Sequence, residues 1–115
     1  IEIESNDIDK MQELIDINHF DTSDNALQAL VYNVFANHYS SINNNSKAIK
    51  FYKKAISGTY VDLHKDKFRL NLIYHYMQND KFDEAEKIFN QVDIESISSF
   101  DLKGKYEQID SRIGN

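Results

Sequence analysis

The stretch LVYNVFANHYSS, from Leu30 to Ser41, decides the fold class of this chain. No glycine or proline interrupts it, and its apolar residues recur at helical spacing. At about 100° per residue, one side of the helix carries Tyr32, Phe35, Ala36 and Tyr39. The other side mixes amides with apolar residues, namely Leu30, Asn33, Val34, Asn37 and Ser41. A helix with two such faces either has two packing neighbours or has one neighbour and an open face that receives a ligand.

The composition agrees with a helical chain. Of the 115 residues, 41% are hydrophobic and 28% are charged, which is typical of a globular domain. The chain has no proline and only three glycines, so it lacks the turn residues that strand-rich folds need. The length suits one compact domain or a short run of helical repeats. We therefore predict an all-α fold of about five to six helices.

The charge and the residue types that the chain lacks limit the compartment and the partners that we expect. The chain has no cysteine, no apolar run long enough to span a bilayer and no signal peptide, which favours the cytoplasm and predicts no membrane partner. The net charge is -6, and the basic residues are interspersed with acidic ones, so nucleic-acid binding through this segment is not expected. Because it begins at Ile1 rather than Met, we expect it to be a piece of a longer protein.

Periodicity and capping signals predict the individual helices. Residues 7–18 form a first amphipathic helix, residues 26–41 a second, and residues 47–57 a third, with Ser46 as its N-cap and Gly58 ending it in left-handed geometry. A fourth covers residues 61–78, and a fifth covers 81–92 with Asp80 as its N-cap. The last covers residues 100–113, although Gly104 weakens it by about 1 kcal/mol relative to alanine.

Two of these helices carry a clear apolar stripe. In the third helix the stripe consists of Ala48, Ile49, Tyr52, Ala55 and Ile56. In the fifth it consists of Phe82, Ala85, Ile88, Phe89 and Val92. The lysines of the third helix, Lys50, Lys53 and Lys54, are expected to form a solvated face.

An internal repeat relates the two stripes. A shift of 37 residues superposes Ala48 on Ala85 and Tyr52 on Phe89, and the same shift superposes Tyr39 on Tyr76. Small residues let two antiparallel helices approach each other, and an aromatic residue fills the space beside them. This pattern resembles the tetratricopeptide repeat. An unrelated small helical bundle is the alternative.

The resemblance implies hairpins stacked as a short right-handed solenoid in a single domain, residues 1–115. The first repeat would run from Ala29 to Asp62 and the second from Asp66 to Ser99. Residues 7–18 would be a flanking helix and residues 100–113 a terminal one. The repeats are degenerate, because tyrosine and arginine replace the early tryptophan and the terminal proline is missing from both.

The same resemblance implies a concave groove lined by the first helix of each hairpin. The corresponding residues are Asn33, Val34, Asn37, Ser41, Lys67, Leu70, Asn71, Tyr74, Met77 and Gln78. An asparagine amide has a donor and an acceptor, so it can pair with a peptide bond of an extended ligand. The alternative is that these asparagines are simply solvated.

The function we predict is protein or short-peptide binding in this groove, with no enzymatic activity. Degenerate repeats with groove asparagines are similar to the sensor domains of Gram-positive peptide-pheromone receptors, which control transcription. The alternative is a scaffold or assembly segment of a larger helical-repeat protein. Such a segment could form a homo-oligomer. The chain has no glycine-rich phosphate loop, nucleophile elbow or histidine pair at metal-binding spacing, so no cofactor and no metal are expected.

Overall fold

The computed structural model describes residues 26–112 of the chain. These residues form five α-helices and no strand, which confirms the all-α prediction. The helices are α1 (Ala26–Ser41), α2 (Asn45–Ser57), α3 (Asp62–Gln78), α4 (Phe82–Phe89) and α5 (Phe100–Arg112), with a 3-10 turn at Ile94–Ser96. The helix predicted over residues 7–18 lies outside the described residues.

The chain divides into two compact units after Tyr60, and each is described by itself. Unit 1 contains α1 and α2, and unit 2 contains α3, α4 and α5. The stacking of hairpins into a right-handed solenoid, the single-domain boundaries and the groove shared by α1 and α3 therefore stay predictions.

In unit 1, α1 and α2 pack against each other across a loop of three residues, 42–44. Alanines at the interface let the helices approach, and aromatic rings fill the remaining space. The fully or nearly fully buried side chains are Ala29, Tyr32, Phe35, Ala36, Tyr39, Ala48, Phe51, Tyr52 and Ala55. Phe51 was not part of the predicted stripe, whereas Ile49 and Ile56, which were, are only half-buried.

The N-cap of α2 is Asn44, not Ser46 as predicted. The Asn44 side chain accepts a hydrogen bond from the Lys47 N–H at 3.3 Å, and Ser46 lies inside the first helical turn. Both residue types are good caps, so the sequence alone does not choose between them. The loop decides, because it brings Asn44 to the point where the helical backbone begins.

Gly58 ends α2, as predicted, but not in left-handed geometry. Its φ is -85° and its N–H bonds to the Ala55 carbonyl. A Cβ at this position would lie 3.0 Å from the Lys54 carbonyl oxygen and 3.3 Å from the Ala29 Cβ. The glycine is therefore required by the close approach of α1, and not by its backbone conformation.

In unit 2, α3 packs against α4 across another loop of three residues, 79–81. The predicted N-cap of α4, Asp80, instead lies in this loop with a φ of 58°, and the cap position is Lys81. The helix itself is shorter than predicted, Phe82–Phe89, because residues 90–93 leave the helix before the 3-10 turn. Phe82 is 44% exposed, so its place in the predicted apolar stripe was wrong.

The two loops have the same backbone hydrogen bonds. In unit 1 the Asn44 N–H bonds to the Tyr39 carbonyl, and the Asn43 N–H to the Ser40 carbonyl. Unit 2 has the same two bonds 37 residues later, from Lys81 to Tyr76 and from Asp80 to Met77. Each is a Schellman motif with a left-handed residue after the helix. Asn43, with a φ of 61°, and Asp80 are the residues that adopt it.

The last helix, α5, is held in unit 2 through the fully buried Tyr106. Its hydroxyl donates a hydrogen bond to the backbone carbonyl of Asp66 on α3, and its ring lies 6.1 Å from that of Phe89 on α4. One side chain thus joins all three helices of the unit. None of the helices in the described part of the chain is long and apolar enough to cross a membrane.

Candidate functional site

A surface cleft in unit 2 is a candidate site among the residues that the structure describes. It is open to solvent, has a volume of about 230 Å³ and is lined by Tyr74, Met77, Gln78, Phe82 and Arg112. The last turn of α3 supplies the first three, α4 begins with the fourth, and α5 ends with the fifth. The loop after α3 brings Phe82 beside the end of that helix, and the anchoring of α5 brings its last turn into the same unit.

The lining residues offer three kinds of contact. Tyr74 and Phe82 present aromatic surface, and the Met77 thioether adapts its shape to an apolar group. Gln78 can both donate and accept hydrogen bonds, and Arg112 is the one charged residue of the lining. Clefts that enclose whole small molecules usually measure about 300–1,000 Å³. This smaller cleft therefore suits a side chain of a larger ligand.

The structure separates the predicted site residues of unit 2. Tyr74, Met77 and Gln78 lie together in the cleft. Lys67 is exposed and Asn71 is half-buried, and neither lines the cleft. Leu70 is only 5% exposed, so the prediction that it faces an open groove was wrong. Buried residues occur on more than one face of α3, so the face that carries Leu70 is also packed.

The predicted residues of unit 1 lie along α1. Val34 is 51% exposed, Asn33 is half-buried, and Asn37 and Ser41 are exposed. The Ser41 hydroxyl donates to the His38 carbonyl of its own helix at 2.6 Å. Part of the predicted polar surface of α1 therefore already forms a hydrogen bond within the hairpin.

Asn37 has a structural partner that the sequence did not reveal. The buried Tyr52 hydroxyl, on α2, donates to Asn37 Oδ1 at 2.5 Å. An unpaired buried hydroxyl would cost about 1–3 kcal/mol, so this bond lets a tyrosine occupy the interface. The amide oxygen that was expected to pair with a bound peptide thus joins α1 to α2.

We expect the stability of the protein to fall between pH 10 and pH 12 because of Tyr52. Burial raises the pKa of Tyr52 from 10.0 to about 12, against a smaller lowering by the Ser40 side chain. The folded state therefore holds this proton more tightly than the unfolded state. Its stabilising contribution is complete below pH 10 and is lost as the pH rises to 12, by about 2–3 kcal/mol.

Urea denaturation at several pH values checks this expectation, with Tyr52→Phe as the control. Titration of other groups affects both proteins alike, so the difference between them isolates Tyr52. The wild type should lose more stability than the variant above pH 10. Parallel curves for the two proteins would contradict it.

Asp66 links α3 to α5 within unit 2. Its carboxylate lies 3.3 Å from the Arg69 guanidinium and its backbone carbonyl accepts the Tyr106 hydroxyl. Burial raises the pKa of Asp66, while the Arg69 cation acts in the opposite direction. Burial also raises the pKa of Tyr106, so its hydroxyl remains a donor at neutral pH. These residues position α5, and with it Arg112, relative to α3.

Sequence reasoning missed two lining residues, Phe82 and Arg112. Phe82 was assigned to the core because it fits the apolar spacing of its helix, and Arg112 lies 38 residues beyond Tyr74 in the chain. The available signal for Arg112 was its place as the only cation in the last turn of α5. Only the tertiary fold brings that turn to the end of α3.

Titratable groups do not gather into a catalytic or metal centre in residues 26–112. No group of three His, Asp or Glu side chains there is placed to hold a metal ion. His75 is buried, and burial lowers its pKa, so it stays neutral at physiological pH. The absence of metal, cofactor and enzymatic activity from the whole chain stays a prediction.

Comparison with known proteins does not identify a family for this chain. No protein-family model, curated protein or solved structure matches the chain. The resemblance to tetratricopeptide repeats therefore stays a prediction. The functional argument rests on the described residues.

Proposed function

We propose that this chain is a protein- or peptide-binding module and that the cleft of unit 2 receives a side chain of the bound segment. The observation that carries the proposal is the lining of the cleft, where two aromatic rings and a thioether lie next to one amide and one guanidinium. Such lining is typical of recognition sites, which combine apolar contact with a few orienting polar groups. Its size suits one apolar side chain of a peptide.

Repeat-like features support the same proposal. Two pairs of residues 37 apart have the same burial: Ala48 and Ala85 are both fully buried, and the rings of Tyr39 and Tyr76 are both buried. The identical loop hydrogen bonds of the two units add to this. Helical repeats bury a core by stacking and leave an extended surface for partners. Tetratricopeptide-like binding is accordingly the class of function that we propose.

A narrower version of the proposal is a cytoplasmic sensor domain of a bacterial, peptide-regulated transcription factor. It rests on the resemblance to peptide-pheromone receptors and on the groove asparagines. Because Asn37 already bonds to Tyr52, an Asn37→Ala variant would disturb the hairpin as well as any ligand contact. The cleft residues offer a cleaner test.

Phage display of random 12-residue peptides on the whole chain, followed by fluorescence anisotropy with an enriched peptide, tests the proposal. Phe82→Ala should raise the Kd about tenfold or more, since an aromatic anchor in a pocket contributes at least about 1.4 kcal/mol. Phe100→Ala is the matched control, because Phe100 is 94% exposed and does not line the cleft. It should leave the Kd unchanged.

Two results would overturn the proposal. One is a library that yields no enriched peptide. The other is an enriched peptide that binds the Phe82→Ala variant as tightly as the wild type.

A scaffold or assembly segment is the second candidate, and one observation favours it. Leu27, Leu30 and Val34 are 68%, 42% and 51% exposed and lie on one face of α1 at helical spacing. An exposed apolar strip of this kind is suited to protein contacts. Size-exclusion chromatography separates the candidates, because an assembly segment oligomerises with concentration in the absence of any peptide.

A further inference from the structure

Three polar side chains that line the cleft of unit 2 have hydrogen-bonding groups to spare. They are Tyr74, Gln78 and Arg112. Within residues 26–112, no side-chain hydrogen bond or salt bridge joins any of them to another residue. A hydroxyl, an amide and a guanidinium are therefore available to a ligand of the cleft.

The cations of α5 show how unusual Arg112 is in its own helix. The Lys103 ammonium lies 3.5 Å from the Glu95 carboxylate, and the Lys105 ammonium lies 3.2 Å from the Asp101 carboxylate. Arg112 is the third cation of α5 and is the only one of the three that no carboxylate among the described residues neutralises. Its charge is thus left for a partner.

The helix dipole explains only part of this arrangement. It favours a cation in the last turn of α5, but a lysine would serve that purpose as well as an arginine. The dipole also does not explain why two neutral donors, the Tyr74 hydroxyl and the Gln78 amide, line the same cleft. A guanidinium presents a planar fork of N–H donors that matches the two oxygens of a carboxylate.

A carboxylate fits this set of donors better than a phosphate does. Its two oxygens accept about four hydrogen bonds, so they can bind the guanidinium fork together with the amide and the hydroxyl. A phosphate group on a peptide carries nearly two negative charges and is usually bound by a cluster of arginines. The lining of this cleft contains one cation, and the net charge of -6 repels a dianion further.

The rest of the lining determines what accompanies the carboxylate. Phe82 and Met77 supply apolar surface beside the donors, and the volume of about 230 Å³ suits one side chain. The cleft is open to solvent, so a bound chain can continue past it in both directions. The acidic group is then a side chain inside the bound segment, and not its C-terminal carboxylate.

We propose that the cleft recognises an apolar side chain whose neighbour in the bound segment is Asp or Glu, with the acidic carboxylate on the Arg112 guanidinium. This inference rests on the proposed function, because it names the chemistry of the peptide that the cleft receives. One carboxylate is preferred to a run of them, since the acidic chain repels a strongly acidic segment.

The probe is the enriched peptide of the display experiment, acetylated at its N-terminus and amidated at its C-terminus, and its Kd is measured by isothermal titration calorimetry. We expect it to contain Asp or Glu next to its apolar anchor. Replacing that residue by Asn or Gln should raise the Kd about fivefold, as expected for a charge-assisted pair at a partly exposed site. Arg112→Gln should have the same effect.

Lys105→Gln is the matched control, because it removes one positive charge from the same helix and Lys105 does not line the cleft. It should raise the Kd less than about twofold, since the charge of Lys105 is already paired and distant charges are screened by salt. The Arg112→Gln variant combined with the neutral peptide should lose no more affinity than either change alone, because both remove the same contact. Thermal unfolding verifies that the variants fold.

The outcomes distinguish this inference from the proposed function. If the enriched peptide depends on Phe82 but binds Arg112→Gln as tightly as the wild type, the inference is overturned and the function stands. A library without an enriched peptide, or binding that ignores Phe82→Ala, overturns the function and the inference together. Equal weakening by Arg112→Gln and Lys105→Gln would overturn the inference, since it would indicate attraction by net charge alone. So would tighter binding of a phosphoserine peptide, or full binding of a neutral peptide with a free C-terminal carboxylate.

Discussion

Replacing Phe51 by alanine is expected to lower the free energy of unfolding by about 3–5 kcal/mol, the usual cost of removing a fully buried phenylalanine. Phe51 is 4% exposed and is the centre of an aromatic cluster that joins α1 to α2. Its ring centre lies 5.6 Å from that of Phe35 in an edge-to-face pair, and 5.6 Å from that of Tyr39 in a stacked pair. A third ring, Tyr32, stacks on it at 5.9 Å.

The size of this effect follows from what the alanine leaves behind. Each aromatic pair contributes about 0.5–1.5 kcal/mol beyond the burial of its area, and all three pairs are lost together. The surrounding rings all belong to α1, whose approach to α2 is fixed by alanines, so they cannot close the cavity. A loss of this size is a large part of the 5–15 kcal/mol that usually stabilises a domain.

Urea denaturation followed by circular dichroism measures the change. Phe51→Leu, which keeps most of the volume, should cost less than about half as much as Phe51→Ala. Tyr60→Ala removes a ring that is 65% exposed in the same unit and should change stability by no more than about 0.5 kcal/mol. A Phe51→Ala variant as stable as Tyr60→Ala would show that the cluster does not hold the hairpin together.

Tyr106→Ala is expected to have an effect of similar size, about 3–5 kcal/mol, in unit 2. This fully buried side chain contacts the Phe89 ring and donates a hydrogen bond to the Asp66 carbonyl. Its removal leaves a cavity between three helices. It also removes the hydrogen bond from α5 to the Asp66 carbonyl of α3.

Tyr106→Phe separates the two contributions, because it removes only the hydroxyl. We expect it to cost about 1–2 kcal/mol, since the Asp66 carbonyl then loses a buried partner. Glu107→Ala, at the neighbouring exposed position of α5, is the control and should be nearly neutral. Denaturation curves of the three variants check these values. If Tyr106→Ala cost no more than Tyr106→Phe, packing of the ring would contribute nothing.

Much of this fold follows from the sequence alone. The C-terminal end of α1, both ends of α3 and the start of α5 fall within one residue of their predicted positions, because the apolar periodicity of these helices is long. Which stripe faces which neighbour was less predictable. The apolar residues of α2 extend around more than one face, and only the position of α1 selects Phe51 over Ile49 and Ile56 for full burial.

The candidate site was only partly predictable for a similar reason. Tyr74, Met77 and Gln78 share one turn of helix, so helical geometry alone brings them together. Phe82 and Arg112 join them through a loop and through the packing of α5, neither of which leaves a local pattern. Asn37 shows the converse, because its spacing suggested an open amide until the fold placed Tyr52 against it.

The matching loops at residues 42–44 and 79–81 have a consequence for protein engineering. Each begins after the same kind of helix end, uses the same two hydrogen bonds and places its left-handed residue in the middle. The three-residue connectors of the two hairpins are therefore interchangeable parts. Exchanging them, or building both with glycine in place of Asn43 and Asp80, should leave each hairpin folded.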